Sequence, residues 1–189
     1  MLVLTVDPGL RGCGCAWWRG ERPPGAPASS RVWTLLRAAY VPALAHEPED
    51  GRDEGAVAWM AAVGAVAEER RGLGVDPDVV AVEAMRVYAR GKGDPADLVA
   101  LAAIAGGVLA AFPSAGHLAL RASEWKGQVP RGIMGQRVLA KLRGERPFPP
   151  GVTAAWSVVD QWTARSKDRL NDACHAVGLG LFLFERGRV

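Results

Sequence analysis

Leu2-Val3-Leu4-Thr5-Val6-Asp7-Pro8-Gly9 decides how this chain is read. Leu2 to Val6 is a continuous β-prone run, as expected of a strand buried on both faces. It stops on a carboxylate, and Pro8-Gly9 turns the chain away. Val79-Val80-Ala81-Val82-Glu83 repeats the design, an apolar strand ending on an acid. Near the other end, Asp172-Ala173-Cys174-His175-Ala176-Val177-Gly178 places a carboxylate and an imidazole one helical turn apart. Acids at strand ends that face acids on a helix can hold a divalent metal against a phosphodiester.

The rest of the chain supplies the frame. A second strand is expected over Cys13 to Arg19, then a Pro-, Gly- and Ser-rich loop from Gly20 to Ser30. Arg31 to Leu36 and Ala38 to Val41 read as a third strand with a bend. His46 to Glu54 is an acidic, exposed loop, and Gly55 to Arg71 an amphipathic helix closed by Gly72 and Gly74. After the Val79 to Glu83 strand comes a basic loop, Arg86 to Asp94. Asp94-Pro95 then starts a helix running to about Phe112, with Asp as N-cap and Pro at the first position. That helix is apolar almost all round, so the sheet and a second subunit are expected to cover it. Its Gly106-Gly107 pair calls for a close backbone approach. His117 to Arg121 is a short last strand. A basic segment follows from Glu124 to Arg146, with a helix from about Ile133. Arg146 to Pro150 is a break, and Thr153 to Thr163 and Asp168 to Phe184 are expected to be helical. Early strands in succession imply antiparallel pairing, and later strands joined by helices imply parallel crossovers. The expected architecture is α/β: a mixed five-stranded sheet with helices on both faces.

The 189 residues fit one domain, 1–189, with a core of its own. No run approaches the roughly 20 apolar residues of a membrane span, and the N-terminus lacks the pattern of a signal peptide. Three cysteines, Cys13, Cys15 and Cys174, fit a reducing compartment better than a disulfide framework. A cytoplasmic protein is expected. Cys13-Gly14-Cys15 has no second ligand pair at zinc spacing, so both cysteines read as small strand residues. The net charge of +3 is unevenly spread. Ala45 to Arg70 holds seven acidic and two basic residues, and Arg121 to Arg146 seven basic and two acidic. The basic side is able to attract a polyanion.

Each candidate acid has an ordinary explanation when taken singly. Asp7 can start the turn, Glu83 can be an exposed strand end, Asp172 a helix cap, and His175 a satisfied core histidine. Together they form a constellation, provided that the first and fourth strands are neighbours. Asp168, one turn before Asp172, shares its helix face.

With these residues in view, the chain resembles the RuvC family of Holliday-junction resolvases, within the RNase H-like superfamily. The resemblance rests on Val6-Asp7-Pro8-Gly9, Val82-Glu83, the small-residue helix Leu101 to Phe112 and Asp172-Ala173-Cys174-His175-Ala176. Gly91-Lys92-Gly93-Asp94-Pro95-Ala96-Asp97-Leu98 and Glu124-Trp125-Lys126-Gly127-Gln128-Val129-Pro130 look like segments of the RuvC-like proteins carried by phages. The resemblance implies an RNase H-like fold and a metal-dependent endonuclease that nicks four-way DNA junctions symmetrically, leaving a 5′ phosphate and a 3′ hydroxyl. It implies two divalent ions, Mg2+ or Mn2+, held by Asp7, Glu83, Asp172 and His175, with Asp168 as a further candidate ligand. The family normally has an aspartate where His175 stands. Imidazole suits transition metals better than magnesium, so manganese is expected to support activity well. In an alternative register Asp172 is the final acid and Asp168 its partner.

DNA contacts are expected from Arg86, Arg90 and Lys92, and from a phosphate track of Lys126, Arg131, Arg137 and Lys141. Tyr88 or Met85 can wedge into the junction centre, or Tyr88 can pack on the protein. The two-fold symmetry of the junction implies a homodimer. A flap or branched-DNA nuclease and a noncatalytic junction-binding module are the competing readings. An actin-like ATPase ranks last, because the chain is too short for paired domains and lacks a second phosphate loop.

Overall fold

In the computed structural model, which describes residues 1–27, 30–43, 54–84 and 94–189, β1 (Leu2–Asp7) is a central strand. Side chains of the first helix are described for residues 60–69. β1 pairs antiparallel with β2 (Gly12–Glu21) and parallel with β4 (Val79–Ala84). β3 (Val32–Pro42) continues the antiparallel side, and β5 (Gly116–Arg121) extends the parallel side. The sheet order is β5-β4-β1-β2-β3-β6. The early strands are antiparallel and the later ones parallel, as their connections imply. The bend expected in the third strand is a bulge: Trp17 pairs with Arg37 and Trp18 with Leu35, leaving Leu36 as the extra residue.

Strand alternation divides β1 between two cores. Leu2, Leu4 and Val6 face one side, with Cys13, Cys15, Trp17, Val80 and Val82. There α1 (Glu54–Leu73) and α2 (Pro95–Ala110) cover the sheet. Val3 faces the other side with Ala16 and Trp18. That side is covered by α6 (Lys167–Glu185), whose residues Ala173 to Leu181 are all buried, and α4 (Arg131–Leu142) packs beside it. Helices therefore lie on both faces.

Asp94 caps α2 as its sequence predicts, accepting from the Ala96 N–H at 2.9 Å. Gly107 meets α1: a side chain there would collide with Val63, so one glycine of the pair has a packing reason. α2 keeps Val99 60% exposed, so an apolar part of its surface remains uncovered within one copy of the chain.

Two expectations need correction. The sheet has six strands, the sixth being β6 (Val152–Thr153), a two-residue parallel addition beside Trp33 and Thr34. Thr153 to Thr163 is not one helix. It contains the end of β6, a 3₁₀ turn at Trp156–Val158, and the short α5 (Gln161–Ala164). Pairing to β3 breaks the helix: Val159 bridges Ala38, and the Asp160 N–H donates to the Ala38 carbonyl at 2.9 Å. A four-residue helix, α3 (Ala122–Trp125), also precedes α4. Among the described residues no helix is long and apolar enough to cross a membrane.

Candidate active site

The end of β1 carries Asp7, and Glu83 is the penultimate residue of β4. Val6 lies opposite Val82 in the parallel register, so both carboxylates emerge at the same edge of the sheet. Alternation sends Asp7 to the side of Val3 and Thr5, under α6. The Thr5 hydroxyl donates to the Ala176 carbonyl at 2.7 Å, which fixes the helix one residue from His175. Asp172 and His175, three apart, thus share the helix side that meets Asp7.

Asp7 is the hub. Its Oδ2 lies 3.3 Å from Nδ1 of His175 and 3.3 Å from Nη2 of Arg131. The same Arg131 nitrogen donates to Oδ1 of Asp172, so one guanidinium spans both acids. Glu83 is held separately. Lys126 Nζ sits 3.1 Å from both of its oxygens, and the Trp125 indole N–H donates to Oε2 at 2.9 Å. Asp7, Glu83 and His175 are all buried. Burial lifts the Glu83 carboxyl above its usual range, and nearby Asp7 adds to the lift, against Lys126 and Trp125. Burial likewise raises Asp172, with Asp7 adding and Arg131 opposing. Burial works to lower the Arg131 guanidinium, but Asp7 and Asp172 outweigh it and leave it above its ordinary value.

His175 has one defined orientation. Its Nε2 lies 2.9 Å from the Arg131 carbonyl. A carbonyl can only accept, so Nε2 carries the proton, and in the neutral ring Nδ1 is a bare acceptor. That buried nitrogen has no hydrogen-bond partner among the described residues, although Asp7 lies close. In that neutral tautomer two electron-rich atoms face each other, an arrangement in which a bound cation would be held between them. Adjacent donors on an octahedral ion at about 2.1 Å are about 3 Å apart, close to the separation of Nδ1 and Oδ2. Three carboxylates and one imidazole also suit a divalent ion in kind. Their present arrangement is different: among the described residues no three His, Cys, Asp or Glu side chains gather to hold an ion. Arg131 and Lys126 supply positive charge at the acids instead.

The expected residues divide accordingly. Asp7, His175 and Asp172 come together directly or through Arg131, and Glu83 stands at the same sheet edge. Asp168 lines the neighbouring cleft with Asp172, and no ion pair or hydrogen bond links it to Asp7, Glu83 or His175 among the described residues. Of the expected DNA contacts, Arg86, Tyr88, Arg90 and Lys92, with Met85, lie outside the described residues. Lys126 and Arg131 turn to the acids. Arg137 is exposed on α4. Lys141 donates to the Pro147 carbonyl at 2.7 Å and lies over the Phe148 ring. Sequence reasoning did not find Trp125 as a partner of Glu83. The signal available was an aromatic in the Glu124-Trp125-Lys126 segment, directly beside a lysine.

No family model matches the sequence, and no curated protein matches it. Solved structures do resemble it. Thermus thermophilus RuvC is 19% identical, with a TM-score of 0.55 over 99% of this chain and 97% of that one. T. thermophilus RuvC in complex with Holliday junction substrate is 18% identical, with a TM-score of 0.51 over the same shares, 99% and 97%. The yeast mitochondrial Holliday junction resolvase Ydc2 is 9% identical, with a TM-score of 0.56 over 96% of this chain and 78% of that one. At these identities the likeness establishes the fold: the RuvC-type, RNase H-like sheet.

Proposed function

We propose that this chain is a metal-dependent endodeoxyribonuclease selective for branched DNA, with the four-way junction as its substrate. The observation that carries the reading is the buried Asp7–His175 pair, with Nδ1 unsatisfied, beside Glu83 and Asp172 at one edge of a RuvC-type sheet. The similarity to a fold solved in complex with Holliday junction substrate supports the choice of DNA.

Asp7, Glu83, Asp172 and His175 would hold Mg2+ or Mn2+. Such ions lower the pKa of water and stabilise a leaving oxygen, which suits hydrolysis to a 5′ phosphate and a 3′ hydroxyl. The Arg131 carbonyl keeps His175 in the tautomer that leaves Nδ1 free, a positioning role. Trp125 orients Glu83. The Arg131 and Lys126 side chains can exchange their carboxylates for the phosphodiester, so they bind substrate charge where it is cut.

Two coordinated nicks on a two-fold substrate call for two copies of the chain. α2, with exposed Val99, is the candidate contact. Light scattering is expected to give the mass of a dimer, and a monomer at working concentration would remove this part. Cleavage assays with four-way junctions, flaps, duplex and single strands test the substrate class. Junctions are expected to be cut fastest, and equal cutting of flaps would transfer the assignment to a flap nuclease. A noncatalytic junction-binding role is the second reading, favoured by the neutralisation of the acids by Arg131 and Lys126. It requires tight junction binding with no cutting in either metal.

A further inference from the structure

A cleft of about 400 Å³ adjoins the acid centre between the Pro8–Gly12 turn and the first turns of α6. Arg11, Tyr40, Arg131 and Arg169 line it, together with Asp168 and Asp172. Three arginines and two acids thus line it, and Asp172 is already engaged by Arg131. Arg11 and Arg169 form no ion pair among the described residues. Beside the cleft stands Trp162 of α5. The Arg169 guanidinium lies over its ring, 3.6 Å from the centroid, and the Tyr40 ring is 6.1 Å away, tilted by 30°. Even so, Trp162 is 40% exposed.

This group is held in place from below. Asp160 accepts from the Thr163 N–H at 3.0 Å, and the buried Thr163 hydroxyl accepts from the Tyr40 N–H at 2.8 Å. The first bond caps the short α5, and the second ties it to β3. A guanidinium stacked through its flat face keeps its N–H edges available, the arrangement that lets arginine grip a phosphate while it packs on an aromatic. An aromatic next to arginines is the surface that single nucleic-acid strands use. Phosphates go to the cations and a base goes to the ring.

We propose that this cleft seats the substrate strand adjoining the cut site, with Arg11 and Arg169 on its phosphates and Trp162 against one of its bases. The inference rests on the nuclease reading above, because it takes the neighbouring acids as the cutting centre. It adds a strand-positioning site that does not depend on the basic loop after Glu83.

The test is equilibrium binding of a labelled four-way junction by fluorescence anisotropy, in chelator so that nothing is cut, over a range of salt. Trp162→Ala is expected to weaken binding roughly five- to a hundredfold with an unchanged salt slope, and Trp162→Phe to recover most of the loss. Arg11→Gln and Arg169→Gln are each expected to flatten the log–log salt slope by about 1. Wild-type affinity in Trp162→Ala, or unchanged slopes in both arginine variants, would overturn the proposal. So would a Trp162→Ala loss that only tracks the unfolded fraction by circular dichroism, since Trp162 would then merely anchor α5. If the wild type prefers no junction over duplex, the substrate reading fails instead. The same variants are then measured on an oligothymidylate strand, where equal binding by wild type and Trp162→Ala would reject the stacking site.

Discussion

Asp7→Asn is expected to slow junction cleavage by roughly a thousandfold or more while junction binding stays close to wild type. The change keeps the size of the side chain and removes its charge. Asp7 is the residue through which the site is joined: it meets His175 at Nδ1 and shares Arg131 with Asp172. Its strand position does not depend on the carboxylate, because β1 is fixed by pairing on both sides. The fold should therefore persist, and the loss should appear in the single-turnover rate rather than in affinity. A carboxylate that served only the Pro8-Gly9 turn would act differently. Asparagine is at home in such turns, and the rate would then stay within about tenfold of wild type.

Gly14→Ala is expected to destabilise the fold by about 3 kcal/mol or more, a fall in Tm of roughly 6–12 °C for a chain of this size. Gly14 lies opposite Asp7 in β2. A side chain on it would run into the Asp172 carbonyl and the Ala173 N–H, which are backbone atoms of α6 and cannot rotate aside. Either the strand or the helix must shift, and both carry the site. Cleavage should fall along with stability, because Asp172 and His175 move relative to Asp7. Gly132→Ala is the control. Gly132 is on the exposed side of α4 with nothing near its missing side chain, so its Tm should hold or rise slightly. Thermal melts of the two variants side by side decide whether close packing of β2 on α6 sets the site's geometry.

The strands that carry the acids were legible because their signal is local. Leu2 to Val6 and Val79 to Val82 are apolar runs too short for helices, each ending on a carboxylate, and the connections between strands set their directions. Asp172 and His175 were legible through their spacing on one helix. The neutralising role of Lys126 and Arg131 was not. In sequence they belong to a basic segment, and basic segments usually face solvent or a polyanion. Their ion pairs to Glu83 and Asp7 span 43 and 124 positions, and only the packing of α3 and α4 beside α6 creates them. The failure at Thr153 to Thr163 has the same cause. Its apolar residues fit a helical stripe, but hydrogen bonds to β3 at Trp33, Thr34 and Ala38 outbid the local preference. Trp162 escaped notice because a single exposed aromatic has no meaning until its neighbours Arg169 and Tyr40 are known.

On the proposed function, Asp7 and His175, with Glu83 and Asp172, form a divalent-cation site. The most direct test is a Mn2+ titration followed by electron paramagnetic resonance, with a junction present, comparing wild type with Asp7→Asn. Wild type is expected to remove free Mn2+ beyond what the DNA alone binds, and Asp7→Asn is not. Equal Mn2+ uptake by the two proteins, or none by either, would contradict it.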